Sequence, residues 1–279
     1  TYDWGTITGP ISVWLLIITG LVVLGLFVLW QKVNRREPLV PLGLFRDRNF
    51  SLGNIGITTI GFSMTAMGFP LMLYAQKVLG LTPTQSALIT IPMAVFAGGL
   101  AKPVGVLVDR MHPRYLGGFG LACMIVALVW LSQIMTPGQS IWLLEIPVAL
   151  MGLANAFMWS PLSATVTRNL PMHSAGAGSG VYNTPRQVGS VLGSAAIAVI
   201  MEAQLTAQFG ARASASESFD NAGALPDFVQ PGFAMAMGNS LLLPAAVLVI
   251  GLVAVLFFAR PAGLLAMRRP SAAVAEPVA

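Results

Sequence analysis

Long apolar runs, broken by short clusters of proline, glycine and charge, set the pattern of this chain. A helix needs about 20 mostly apolar residues to cross a bilayer. Seven stretches reach that length: 10–30, 52–76, 85–108, 115–135, 141–167, 180–203 and 233–259. Turn chemistry separates them, in Arg35-Arg36-Glu37-Pro38, Thr82-Pro83, Arg110-Met111-His112-Pro113-Arg114, Thr136-Pro137-Gly138 and Pro171-Met172-His173. The runs lack the strict alternation of barrel strands, and backbone in lipid must satisfy its own polar groups. The pattern therefore predicts an all-α membrane protein with seven transmembrane helices.

Composition agrees. The 279 residues are 56% hydrophobic and 9% charged, against roughly 25% charged in an ordinary soluble domain. Mean hydropathy is +0.77 and the pI is about 9.9. A basic chain invites a nucleic-acid reading, but the positions of the cations argue otherwise. Lys32, Arg35, Arg36, Arg46, Arg48, Arg110, Arg114, Arg168, Arg260, Arg268 and Arg269 all fall in alternate loops and the C-terminal tail. Lys77 and Arg212 fall in the opposite set, and Lys102 and Arg186 lie within spans. Cytoplasmic loops are enriched in Lys and Arg, so the N-terminus is expected outside and the C-terminus inside. Anionic lipid then accounts for the charge, and no nucleic-acid partner is called for.

The expected organisation is a linker transmembrane helix over 1–31, a basic cytoplasmic linker over 32–51 and a six-helix bundle over 52–260. An interfacial stretch at 39–45 belongs to the linker. An outer loop at 204–232 carries Glu217, Asp220 and Asp227, and 261–279 form a cytoplasmic tail. Transporters are often built from repeated helix triples, and 52–135 and 141–259 have that count. An odd number of spans and a first residue Thr1 suggest a piece of a longer protein.

Candidate chemistry is sparse. The single cysteine, Cys123, and two histidines, His112 and His173, exclude a disulfide framework and leave few metal ligands. No Ser-His-Asp set or paired carboxylates emerge, so the chain does not read as an enzyme. Ala175-Gly176-Ala177-Gly178-Ser179-Gly180 lacks the preceding strand of a phosphate loop. Carboxylates within spans are costly, which makes Glu145 and Glu202 proton-coupling candidates, with solvated interfacial acids as the alternative. Arg186 lies roughly 8 Å into its span at 1.5 Å per residue, so it must pair, snorkel or face a cavity. Gln76, Asn155, Met64, Met67 and Phe157 are candidates for a substrate cavity, with Phe62, Phe69, Met158 and Trp159 beside them. Core or lipid-facing packing is the other reading of these side chains.

Two motifs carry more. Gly105-Val106-Leu107-Val108-Asp109-Arg110, followed by His112-Pro113-Arg114, resembles the G-x-x-x-D-R-x-G-R-R loop of the major facilitator superfamily, in its second-half copy. Gly105 is expected to let two helices approach closely. His112-Pro113 stands where the family has a later glycine, which is expected to weaken the turn. Asn183-Thr184-Pro185-Arg186-Gln187-Val188-Gly189, continuing to Gly193, is similar to the N-x-x-R-Q-x-G-x-x-x-G segment of the EmrB/QacA-type fourteen-span drug:proton antiporters. Small residues at Gly189 and Gly193 permit backbone-to-backbone packing in lipid. Pro70-Leu71-Met72-Leu73-Tyr74-Ala75-Gln76-Lys77-Val78-Leu79-Gly80 is similar to that group's P-L-Y-x-Q-x-V-L-G segment, and Ile91-Pro92 to its L-P.

The resemblance implies the C-terminal half of such a transporter, the second linker helix plus six core helices, in a bacterial inner membrane. It implies export of hydrophobic or cationic drug-like compounds by alternating access, with a proton gradient in place of any cofactor. Expected partners are the substrate, membrane lipid and the missing N-terminal half. The alternative is a stand-alone half-protein acting as a scaffold or regulatory partner of another chain.

Overall fold

A computed structural model describes residues 13–33, 45–167, 175–210 and 224–258, and every regular element longer than a turn in them is a helix. In chain order these are α1 (Val13–Val33), α2 (Arg48–Lys77), α3 (Pro83–Leu88), α4 (Ile91–Arg110), α5 (Pro113–Ile134), α6 (Ile141–Thr167), α7 (Ala175–Phe209), α8 (Gln230–Ser240) and α9 (Leu242–Leu256). Among the described residues seven segments are long and apolar enough to cross a membrane. They coincide with the seven expected from hydropathy, with shifted ends.

Local chemistry explains the shifts. The Asp47 carboxylate accepts the Phe50 N–H at 2.8 Å, an N-cap that starts α2 at Arg48 instead of 52. The third span is two helices. Its first piece begins with a capping box between Thr82 and Gln85, with Pro83 in its first turn. The break follows Leu88, whose carbonyl would take the N–H that Pro92 lacks. Pro244 denies the Ser240 carbonyl its donor in the same way, and the last span divides there into α8 and α9. At its far end α7 runs on to Phe209, and Gly210 closes it at φ +63°. The start of the expected outer loop is therefore helical. Residues 211–223, the tail 261–279, Pro171-Met172-His173 and nearly all of the stretch 39–45 lie outside the described residues.

α2 is the central post. It packs on α7 along one side and α9 along another, while α9 also meets α5, and α5 meets α6. α4 leans on α6. Ile60, Tyr74, Leu121, Met124, Leu128, Leu131, Leu144, Met158, Leu162, Leu248 and Val255 are each at most 1% exposed and form one continuous core. Val104, Val108, Leu116 and Ala156 make a smaller cluster where α4 joins α5 and α6. By contrast α1 is apolar all round and every side chain from 14 to 30 is exposed, the surface expected against lipid rather than protein.

One end of the bundle is pinned by polar contacts from three segments. The buried Tyr74 hydroxyl donates to the Thr136 carbonyl at 2.7 Å. The Leu225 N–H donates to the Lys77 carbonyl at 2.8 Å, and Gln230 Nε2 donates to the Leu225 carbonyl at 2.8 Å. The α4–α5 turn lies at the opposite end.

Candidate functional site

The α2–α7 seam brings the Asn183–Gly193 motif onto the central post. Its glycines leave no room for a side chain. A Cβ on Gly189 would overlap the Thr58 carbonyl oxygen, one on Gly193 the Phe62 carbonyl, and one on Gly61 the Arg186 carbonyl. The pairs Thr58–Gly189 and Phe62–Gly193 advance together, so α2 and α7 run parallel where they touch. Ser190 Oγ bridges the backbones, 3.2 Å from the Gly61 carbonyl and 3.1 Å from that of Arg186. On the other flank, Gly251 receives Thr59, and Ser63 Oγ donates to the Pro244 carbonyl at 2.9 Å. Without water to compete, such direct packing and hydrogen bonding are what hold helices together in lipid.

Arg186 is half-buried and meets α6. Its guanidinium carbon lies 5.6 Å from the centre of the Trp159 ring, within cation–π range. The Trp159 indole N–H donates to Asn155 Oδ1 at 2.9 Å, and Asn155 Nδ2 donates in turn to the Met151 carbonyl at 3.1 Å. This chain along α6 fixes the indole plane that carries the cation. Arg186 Nε is buried with no hydrogen-bond partner among the described residues. α7 starts at Ala175, and its membrane-spanning part begins at Asn183, which places Arg186 about one turn inside the span.

The loop motif behaves differently from expectation. Gly105 has nothing within 4 Å of where a Cβ would sit, so it mediates no close approach among the described residues. The neighbouring Val104 and Val108 point into the α4–α6 cluster instead. His112-Pro113 does not loosen the turn. His112 Nδ1 accepts the Arg114 N–H at 3.3 Å as the N-cap of α5, and Pro113 takes the first helical position, which needs no N–H. Arg114 stacks 4.5 Å from the Tyr115 ring centre and its Nη2 donates to the Tyr115 hydroxyl. Arg110 is exposed. Asp109 closes the last turn of α4, and its side chain lies outside the described residues.

Glu145 is half-buried near the start of α6, and Glu202 is exposed toward the end of α7. Both lie toward the Tyr74–Thr136 end, away from Arg186. The cavity candidates separate into groups. Met64 and Met67 join Met124 and Met158 around a tight apolar seam with Ile60, Ser63 and Leu248. Phe157 packs edge-on against Phe119, ring centres 5.1 Å apart, beside the α4–α5–α6 cluster. Asn155 orients Trp159, and Gln76 is half-buried near the end of α2. Asn183 and Gln187 are exposed and line a shallow groove of about 440 Å³ on α7, together with Thr184, Val188, Val191 and Leu192. Pro185 is half-buried between them. Among the described residues no three His, Cys, Asp or Glu side chains gather as metal ligands.

Gly61 and Trp159 belong to no motif that the sequence displays; the α2–α7 seam and the Arg186 contact bring them into the site.

These features define an all-helical, multi-pass membrane protein with a glycine-tight seam and a half-buried cation beside it. The sequence profile described as the Major Facilitator Superfamily matches residues 4–194. The chain belongs to that superfamily. It is 45% identical over 262 residues to the uncharacterized MFS-type transporter Rv1250 of Mycobacterium tuberculosis, covering 92% of this chain and 45% of the relative. It is 31% identical over 202 residues to the lincomycin resistance protein LmrB of Listeria monocytogenes (72% of this chain, 41% of the relative). It is 28% identical over 204 residues to the multidrug resistance protein Stp of Mycobacterium tuberculosis (73% and 37%). The chain thus spans less than half the length of these relatives.

Proposed function

We propose that this chain is the C-terminal half of a proton-coupled secondary transporter of the EmrB/QacA type, exporting hydrophobic or cationic drug-like compounds by alternating access. The observation that carries the reading is the coincidence of superfamily membership over 4–194 with relatives named for lincomycin and multidrug resistance. In this reading α1 is the linker helix and α2–α9 form one wall of a midplane cavity. The Asp109-Arg110 turn faces the cytoplasm, as the distribution of Lys and Arg favours. The Tyr74–Thr136 end then faces outward, and the membrane is the bacterial inner membrane. The partner is the first half of the transporter, and the proton gradient is the energy source.

The rigid α2–α7 seam suits a wall that moves as one body. Glu145 and Glu202 are the candidate acids within the spans to exchange protons near the outer face, and Arg186 supplies a positive charge within the wall. The test is drug-driven proton release from vesicles containing the intact transporter. Glu145→Gln or Glu202→Gln should abolish release if that acid couples transport; unchanged coupling in both removes them from the mechanism. The 279 residues alone should move neither drug nor protons, and drug-dependent proton flux in vesicles holding only them would refute the missing wall.

A further inference from the structure

After α1, the span that ends in α4 is the least buried, and the two helices expose different side chains. From 14 to 30, α1 shows mostly Leu, Ile, Val and Trp and no charge, a surface suited to lipid. One side of α4 packs on α6 through Val104 and Val108. Its other side presents Ala94, Gly98 and Ala101, all exposed, and nothing lies within 4 Å of a Cβ built on Gly98. These three are spaced by four residues and then three, which keeps them in line along a helix as in the seam of two packed helices. Small residues in such a line let a second backbone come close, which is how helices associate in lipid.

Lys102 stands beside this line, one turn from Gly98. It is exposed and makes no hydrogen bond or ion pair among the described residues. It lies six residues, about 9 Å at 1.5 Å per residue, inside the end of its span at Val108. Cα–Cβ bonds tilt toward the N-terminus of a helix, so the Lys102 stem sets out deeper into the span and away from that end. Snorkelling, which carries the charged head to the interface, would require it to double back. Charges at such depth face a protein interior and pair with one another. Glu145 and Glu202 lie toward the far end of the bundle, and Asp109 is about 10 Å further along the α4 axis. The counter-charge therefore has to come from the chain that covers α4. The matched residues make up 45% of the relative Rv1250, which leaves more than as much sequence again to supply that cover.

We infer that the open side of α4 receives a helix of the transporter's first half, with a carboxylate of that helix opposite Lys102. Ala94, Gly98 and Ala101 admit the backbone, and the ion pair fixes its register. This rests on the reading of the chain as half of a transporter and names the surface through which the halves meet.

The test is carbodiimide coupling in the intact transporter, with a protease site placed ahead of Thr1. Dicyclohexylcarbodiimide enters membranes and condenses an amine with a carboxylate in direct contact, taking up the water lost as its urea. An amide between Lys102 and the first half should hold the two pieces together on a denaturing gel after cleavage. Lys102→Arg keeps the charge but offers no amine to acylate, and should abolish the coupled band. In a second measurement, benzoylphenylalanine at Val95, exposed on the same side of α4, should crosslink to the first half on irradiation. The same group at Val126, exposed on α5, should not. Lys102→Glu should weaken the Val95 crosslink, because like charges then meet. Pieces that separate in both experiments overturn the inference and leave the half-transporter reading standing. A coupled band that survives Lys102→Arg, or a Val95 crosslink untouched by Lys102→Glu, overturns the ion pair. A crosslink into a second copy of the transporter overturns the choice of partner. An intact polypeptide no longer than this chain overturns the half-transporter reading, and this inference with it.

Discussion

The same residue type does opposite things in α7 and α4. In α7, Gly189 and Gly193 sit against carbonyl oxygens of α2, and Gly61 of α2 answers against Arg186. In α4, Gly98, Gly99 and Gly105 have nothing within 4 Å of a Cβ. Both helices are apolar, proline-containing and rich in small residues. What separates them is the neighbour. α2 presents backbone at the register of Gly189 and Gly193, whereas α4 meets α6 away from its own glycines, through Val104 and Val108 and, against Gly152 of α6, through the Met93 backbone and Phe96. A glycine motif therefore states that close approach is allowed. It does not say that it happens.

Gly189→Ala should break the contrast from the tight side. The added methyl meets backbone that cannot rotate away, and overpacking of this kind costs about 1–3 kcal/mol. A clear fall in the melting temperature of the detergent-purified protein is the expected result; an unchanged one would mean the seam is looser than described. Tyr74→Phe should cost less. It removes one hydrogen bond to the Thr136 carbonyl, about 1 kcal/mol, and should show as increased cleavage by added protease near Thr136-Pro137-Gly138. Gly105→Ala should cost least and can even stabilise, since alanine is favoured over glycine within a helix by about 0.5–1 kcal/mol. A melting temperature lowered as far as by Gly189→Ala would reveal a close partner at Gly105 and erase the difference between the two helices.

The loop motif teaches the same lesson on a smaller scale. Read as a string, His112-Pro113 is a defect in a glycine-dependent turn. Folded, the imidazole caps α5 and the proline fits a position that wants no N–H. Side-chain capping needs a dihedral choice that residue order does not display. Arg186 was visible as a cation in an apolar run, but its bond to Trp159 was not, because 27 positions separate the two residues on different helices.

The number of spans, their lengths and their separation were determined by the sequence alone, because hydropathy is summed over adjacent residues and a bilayer fixes the length required. Local chemistry is also carried by neighbouring residues: Asp47 and Thr82 set helix starts, and Pro92 and Pro244 each divide a span into two helices. Pairing was decided by the tertiary structure. Which face of α2 meets Gly189, which ring receives Arg186 and which glycines stay open all depend on helices brought together from far along the chain. In an apolar run every face is nearly equivalent to the solvent, so only the partner's backbone and side chains select one.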